Sequence, residues 1–280
     1  MNQSDSMKVR RIHFPHGEGS LRRHFVDGDL VMSHLVAVLS ATFPPGEDFF
    51  IRSVRHYHGQ ITDPELKAQV KTFIGQEVVH GREHDSLNQT LRRLGYPTHR
   101  VHRSVERGLR FNTRFLPARA NLAATAALEH YTATLAENLL TDERSRVLLG
   151  DSTVRDILLW HALEESEHKA VAFDVFRSIG GTDRMRIRAM RRVTVLFLLH
   201  VSLWTLLSLL TDRAAYNPRR LIRSLAALRH APFLDRDVIS QIRAYNKPGF
   251  HPSDIDSTAT LTHWRNELFG PHGTLTPHLR

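Results

Sequence analysis

The sequence predicts an all-α protein built from long helices, and three observations carry that expectation. Apolar residues recur at helical spacing over long stretches, and residues that start and stop helices punctuate them. One run, "PARANLAATAALEHYTATLAENLL", is rich in Ala and Leu, which have high helix propensity. No stretch shows sustained two-residue alternation bounded by turn residues, the mark of a half-buried strand.

The elements follow in order. Residues 29–42 form an apolar helical run that ends at "FPPGEDFF". Pro45 there suits the first turn of a new helix, with Glu47 just inside it, continuing through Ile51, Val54 and Tyr57. "TDPELKAQVKTF" opens the next helix, with Asp63 as cap and Pro64 at the first helical position. That helix runs to about Leu94 and stops at "LGYP". Residues 98–114 read as a basic connector to the Ala-rich helix. "GDSTVRDILLWHALEESEHKAVAFDVFRSIGG" then gives one helix, capped near Asp151 or Ser152 and stopped at Gly180–Gly181. The resulting organisation is an N-terminal extension (1–28), a bundle (29–180), and an apolar helix with C-terminal helices and tail packing on it (181–280).

Composition narrows the chemistry. The 280 residues suffice for one large domain or a domain with an appendage, and 41% hydrophobic with 24% charged residues is ordinary for a globular chain. There is no cysteine, which excludes disulfides, thiolate metal sites, iron–sulfur clusters and Cys nucleophiles, and fits a reducing, cytoplasmic setting. Any metal must be held by imidazole and carboxylate, and 19 histidines are present. The first residues lack an apolar core, so no secretory signal is expected. A formal charge of +9 suits an anionic partner, yet the arginines are scattered and no zinc finger, RNA-binding aromatic pattern or helix-turn-helix signature is present; nucleic acid is not expected as a partner.

"FIGQEVVHGREHDSLN" places Glu77, His80 and His84 within about 60° of one another on a helix. Val70, Phe73 and Leu87 lie on or near that side, where charged groups are costly unless paired or bound to a metal. His161, Glu165 and His168 repeat the pattern at i, i+4 and i+7. Each Glu-x-x-His is preceded by a glutamate on an earlier helix, Glu47 and Glu129 respectively. One Glu-x-x-His arises easily by chance, or as surface residues and buried ion pairs; two with partner glutamates carry more weight. Glu164 is adjacent to Glu165 and is an alternative to it after a small helix rotation, Glu137 is expected at the solvent side or behind a ligand, and Glu83 and Glu167 are expected to be solvated.

The order Glu, Glu-x-x-His, Glu, Glu-x-x-His over four helices resembles that of ferritin-like di-iron and di-manganese proteins. The expected fold is therefore a ferritin-like four-helix bundle with additional C-terminal helices. Four carboxylates neutralise two divalent ions, and one imidazole per ion adds a nitrogen donor suited to iron, with manganese or zinc as alternatives. Ala126, Ala133 and Ala136 beside Glu129 leave room for such a cluster.

The segments "FPPGEDFFIRSVRHY", "FIGQEVVHGREH", "ALEHYTATLAE", "WHALEESEHKAVAFDV" and "YNKPGFHPSDID" are together similar to a bacterial family known as predicted metal-dependent hydrolases. The resemblance implies metal ligands at Glu47, Glu77, His80, Glu129, Glu165 and His168. His161-x-x-x-Glu165-x-x-His168 is also similar to the fourth-helix motif of di-iron arylamine N-oxygenases, which carry an additional histidine on one iron. His84 and His161 are either donors behind the ligands or residues lining the pocket, or one of them is a seventh ligand; by that resemblance it is His161, His84 then lines the pocket or orients a carboxylate, and both are candidate catalytic residues.

Two reaction classes follow. The favoured one is oxidation of a small organic substrate by O₂ at two Fe(II) ions. The alternative is hydrolysis by a metal-bridging hydroxide, as the family's name implies. Metal storage has no support in the sequence. Residues 193–210, "VTVLFLLHVSLWTLLSLL", carry no formal charge and sit between basic flanks. They are at the lower limit for spanning a bilayer, and Thr194, His200, Ser202, Thr205 and Ser208 count against spanning. A buried helix or a homodimer interface is the favoured reading; attachment of residues 184–210 to the inner face of a membrane is the other. "GLRFNTRFLP" is expected to close over one end of the site, and His251 to lie in a packing loop across the bundle.

Overall fold

The computed structural model describes residues 7–15, 21–150 and 153–280. Among them the regular structure is helical, apart from one isolated antiparallel bridge between Ile12 and Leu279. The all-α expectation holds.

The first helix, α1 (Leu30–Arg55), starts at Asp29, whose side chain accepts from the Met32 amide. It does not break at "FPPG": Pro44 and Pro45 lie inside one continuous helix, and Glu47 sits mid-helix rather than in a first turn. A proline removes the hydrogen bond to the carbonyl four residues back. The carbonyl freed by Pro44 belongs to Ser40, and the Asn88 side-chain amide donates to it at 3.0 Å. A tertiary contact thus replaces the missing helical bond.

Helix α2 (Pro64–Arg93) begins as the sequence indicates, with Asp63 accepting from the Glu65 amide and Pro64 at the first position. It ends before Gly95, at φ +93°, a backbone conformation that glycine adopts without strain. The basic segment that follows is not a connector but helix α3 (Thr98–Phe115). It lacks a side-chain cap, and arginines interleave its apolar positions, so its start carries no signal. What holds it is a stripe at four-residue spacing, of which Val101 packs with Val38 and Ala41 of α1.

Helix α4 (Ala118–Thr141) is the Ala-rich run, followed by the short α5 (Glu143–Leu149). The next expected helix is two: α6 (Thr153–His168) and α7 (Val171–Ser178). The break falls at Lys169, whose ammonium donates to the Ile255 carbonyl at 2.6 Å and to Ser257 Oγ at 2.7 Å. The proposed caps Asp151 and Ser152 lie outside the described residues. Beyond come α8 (Asp183–Leu209), α9 (Pro218–Leu228), α10 (Arg236–Ala244) and α11 (Thr258–Phe269).

Helix α1 packs on α2 and α4 on α6, with α2 also against α6 and α1 against α4; α8 lies across α4 and α1. Two hydrophobic cores fill this bundle, one around Leu87, Trp160 and Leu163, the other around Phe49, Phe73 and Phe176. Charged side chains occupy the middle of the bundle between them, on α1, α2, α4 and α6.

A candidate metal centre

Glu47, Glu77, Glu129, Glu165, His80 and His168 all turn inward, and none is more than 2% exposed. The helical phase explains the pairs: Glu77 and His80, and Glu165 and His168, are three residues apart, so each pair projects from one helix face. Glu47 Oε2 lies only 3.2 Å from where a Cβ would stand on Gly81. The absence of a side chain there lets α1 and α2 approach with a carboxylate between them.

The imidazoles are set by partners behind them. His80 Nε2 lies 3.0 Å from Glu164 Oε2, and Glu164 is in turn paired with Arg10 at 2.9 Å. An ionised carboxylate only accepts, so Nε2 carries a proton and Nδ1 is the nitrogen turned to the cluster, free to bind a cation once its own proton leaves. His168 is held at the other nitrogen: Nδ1 donates to Gln76 Oε1 at 3.1 Å, while the Gln76 amide donates to Glu167. His168 Nε2 then faces Glu77 at 3.2 Å, Glu129 at 3.4 Å and Glu165 at 3.5 Å. His80 Nδ1 faces Glu77 at 3.6 Å and Glu165 at 3.7 Å.

Glu77 and Glu165 therefore stand near both imidazoles. Glu47 groups with Glu77 and His80, and Glu129 with Glu77 and His168. Glu77 and Glu165 are thus central to the cluster, with Glu47 and Glu129 each to one side.

Nine buried atoms of this cluster make no hydrogen bond: both oxygens of Glu47, Glu77 and Glu129, one of Glu165, His80 Nδ1 and His168 Nε2. Buried polar atoms are normally paired, and unpaired carboxylates are expensive. The neighbouring acids are already neutralised, Glu164 by Arg10 and Glu167 by Arg10 and Arg265. Four carboxylates remain, matching the charge of two divalent cations. The residues fit a dinuclear metal centre.

Electrostatics point the same way. Burial raises the carboxyls of Glu47 and Glu129 well above the usual range, and neighbouring carboxylates (Glu77 for the first, Glu165 for the second) push them further. Burial opposes charge on His80 and His168, but Glu164 and Glu77 outweigh it at His80, and Glu165 and Glu77 at His168, so both are raised. Burial acts against ionisation of Glu165 too, yet His168 and His161 hold it well below the usual range. The cluster relieves buried negative charge by holding protons where cations would sit.

His84 and His161 form a line leading away from the carboxylates. His161 Nε2 donates to Glu165 at 2.9 Å, its Nδ1 lies 2.6 Å from His84 Nε2, and His84 Nδ1 lies 3.0 Å from Ser40 Oγ. His161 is kept neutral by burial and by the nearby His80. It lies within reach of Glu47, His80 and Glu165, but here its Nε2 is engaged with Glu165.

Among the remaining side chains, Glu83 and Glu167 differ from expectation. Glu164 does not substitute for Glu165; it orients His80 from behind. Glu83 and Glu167 are not solvated: Glu83 accepts from the Phe14 amide, and the Glu167 carboxylate is fully buried among Arg10, Gln76 and Arg265. Glu137 accepts from Ser257 at 2.9 Å. His251 packs edge-on to Phe173 and bonds Asp174. Arg10 and Ser40 carried no signal, while Gln76 was marked only by standing next to Glu77.

A cavity of about 610 Å³ reaches the cluster from one side. Glu47, His161 and Glu165 form its polar end, and apolar residues of α1, α3, α4 and α8 form most of the rest. "GLRFNTRFLP" contributes Leu109, Phe111 and Asn112 to its wall, so α3 does cover that end of the site.

Residues 8–256 match the model of the family described as predicted metal-dependent hydrolase. The chain belongs to that family. No curated protein and no solved structure matches it. The family's description is that of a metal-dependent enzyme, and buried His/Glu groups able to hold metal occupy its matched region. The description names a reaction type but no substrate; the donor set must supply the finer reading.

Proposed function

We propose that the chain is a dinuclear, carboxylate-bridged metalloenzyme, with iron as its metal, that activates O₂ to oxidise a small organic substrate. The observation that carries this reading is the set of nine buried ligand atoms without a hydrogen bond, which an apolar cavity reaches at Glu47 and Glu165. Two iron ions there would supply the redox chemistry.

The chain's own residues have separable tasks. Glu77 and Glu165 face both positions, whereas Glu47 and Glu129 each serve one. Glu164 and Gln76 fix the His80 and His168 tautomers. Ser40, His84 and His161 form an ordered hydrogen-bond line toward Glu165, which can hold or pass a proton at Nε2 of His161. The apolar walls exclude water and leave the substrate little to bond to except the polar end.

Hydrolysis at the same ions is the second reading, favoured by the family's description. It would call for polar groups around a scissile carbonyl or phosphoryl group, and the wall offers few. Anaerobic reconstitution with Fe(II), counting bound iron and following absorbance as O₂ is added, separates them. Two irons per chain with a transient visible band support oxidation. Two metals indifferent to O₂ would favour hydrolysis, and no bound metal would overturn both.

A further inference from the structure

We propose that α8 and α3 seat this protein on an anionic lipid bilayer, and that an apolar, chain-bearing substrate dissolved there passes between them into the cavity. The substrate part rests on the metalloenzyme reading; the docking and uptake parts do not.

Helix α8 turns a largely apolar face outward, with Ser202 as a polar residue within it. Val195, Leu198, Leu199, Leu203, Leu206 and Leu210 are each more than half exposed. Only 28% of its apolar stretch is buried, so it is not the buried helix that its composition suggests. A contiguous leucine surface of this extent is unfavourable in water and marks a contact with something apolar. Its other face is committed to the bundle through Val201, Thr205 and Leu209, and Ser208 Oγ meets His34 Nδ1 at 2.6 Å. A helix bound along one side and apolar along the other suits lying in a membrane interface.

The surroundings select the occupant. Exposed arginines stand at both ends of the apolar face, among them Arg188, Arg191 and Arg192 before it and Arg213, Arg219 and Arg223 after it. No acidic residue lies between Arg184 and Thr211. Anionic headgroups complement that rim, whereas a second copy of the same face would bring arginine against arginine.

The mouth of the cavity opens on this face. Leu196 of α8 and Phe111 of α3 are 50% and 59% exposed and also line the cavity. Along α1 the lining runs from Val36 to Phe50, a length of about 21 Å at the helical rise of 1.5 Å per residue. A space that long, apolar along most of its walls and polar at Glu47, His161, Glu165, His200 and a few hydroxyl or amide side chains, suits an extended alkyl chain rather than a compact polar metabolite.

The test combines co-sedimentation on phosphatidylglycerol or phosphatidylcholine vesicles with binding of cis-parinaric acid, a fluorescent fatty acid, on samples whose metal content is measured. Two variants separate the steps. Leu199→Glu with Leu203→Glu charges the outer face without touching the cavity wall. Gly108→Phe sets a bulky ring at the cavity wall, which Gly108 lines and where a Cβ meets nothing within 4 Å. The expected result is sedimentation with phosphatidylglycerol but not phosphatidylcholine, lost in the double variant and kept in Gly108→Phe. Parinaric acid should bind the native chain and the double variant, and fail to bind Gly108→Phe.

Absence of vesicle binding overturns the proposal, as does vesicle binding without fatty-acid uptake. A dimer in sedimentation velocity that the double variant dissociates, with no affinity for vesicles, would assign the face to a second copy instead. Docking and uptake in a chain that holds no metal would leave them standing and overturn the metalloenzyme reading; metal without docking would overturn this proposal alone.

Discussion

Glu164 lies 3.0 Å from His80 Nε2 and 2.9 Å from the Arg10 guanidinium, so a buried ion pair stands behind the imidazole and decides which of its nitrogens is free. Partners of this kind typically account for 10–100-fold in metal affinity. Glu164→Gln should therefore keep two metals per chain at saturation but bind at least one of them about tenfold more weakly. Competition with a chromogenic chelator measures this. Loss of all metal in Glu164→Gln would make Glu164 itself a ligand.

Glu77 and Glu165 each approach both imidazoles, whereas Glu47 and Glu129 approach one position each. Glu77→Ala and Glu165→Ala should abolish metal binding, and Glu47→Ala or Glu129→Ala should leave one ion per chain. Elemental analysis of the purified variants decides. Two metals retained at unchanged affinity in both bridging variants would refute the assignment. His161→Ala should leave metal bound while altering reactivity.

Metal affinity should fall as the solution is acidified. Burial and like charge hold the carboxyls of Glu47 and Glu129 protonated above the usual carboxylate range, and their partners keep His80 and His168 protonated above the usual imidazole range. Each proton must leave before a cation binds. The sign for the metal-free chain is opposite. A carboxyl raised on folding contributes stability below its unfolded value, about 4.3, and loses it as pH rises through the folded value. The gap in melting temperature between metal-loaded and metal-free protein should thus widen with rising pH. A constant gap would show that these protons are not displaced.

Gly81→Ala tests the close approach of α1 and α2. The new methyl would stand 3.2 Å from Glu47 Oε2 and 3.9 Å from the Pro44 Cα. The carboxylate can give way while the helix cannot, so metal at the Glu47 side should weaken with little change in melting temperature. Equal losses at both ions would point to a general shift of the helices.

Asn88→Leu removes the donor to the Ser40 carbonyl that Pro44 leaves without a helical partner. A buried acceptor left unpaired costs about 1–3 kcal/mol, and urea unfolding should show a loss of that order. A neutral substitution would mean that water or a shift of α1 satisfies the carbonyl.

The helical architecture was legible because hydrophobic spacing and caps such as Asp63–Pro64 are local properties of the chain. So was the core of the candidate centre, since Glu-x-x-His written twice fixes the face from which each pair projects. Local rules misled where a distant contact outweighed them. Pro44 and Pro45 read as a helix boundary, yet Asn88 of α2 supplies the bond they remove; residues 98–114 read as a connector, yet packing on α1 makes them a helix. The expected single helix ends at His168 because Lys169 is drawn to the C-terminal tail. Only the tertiary structure could show that Arg10 balances Glu164 and Glu167, or that one face of α8 lies bare. Charge compensation and burial depend on which helices meet, and in these cases the meeting residues are far apart in sequence.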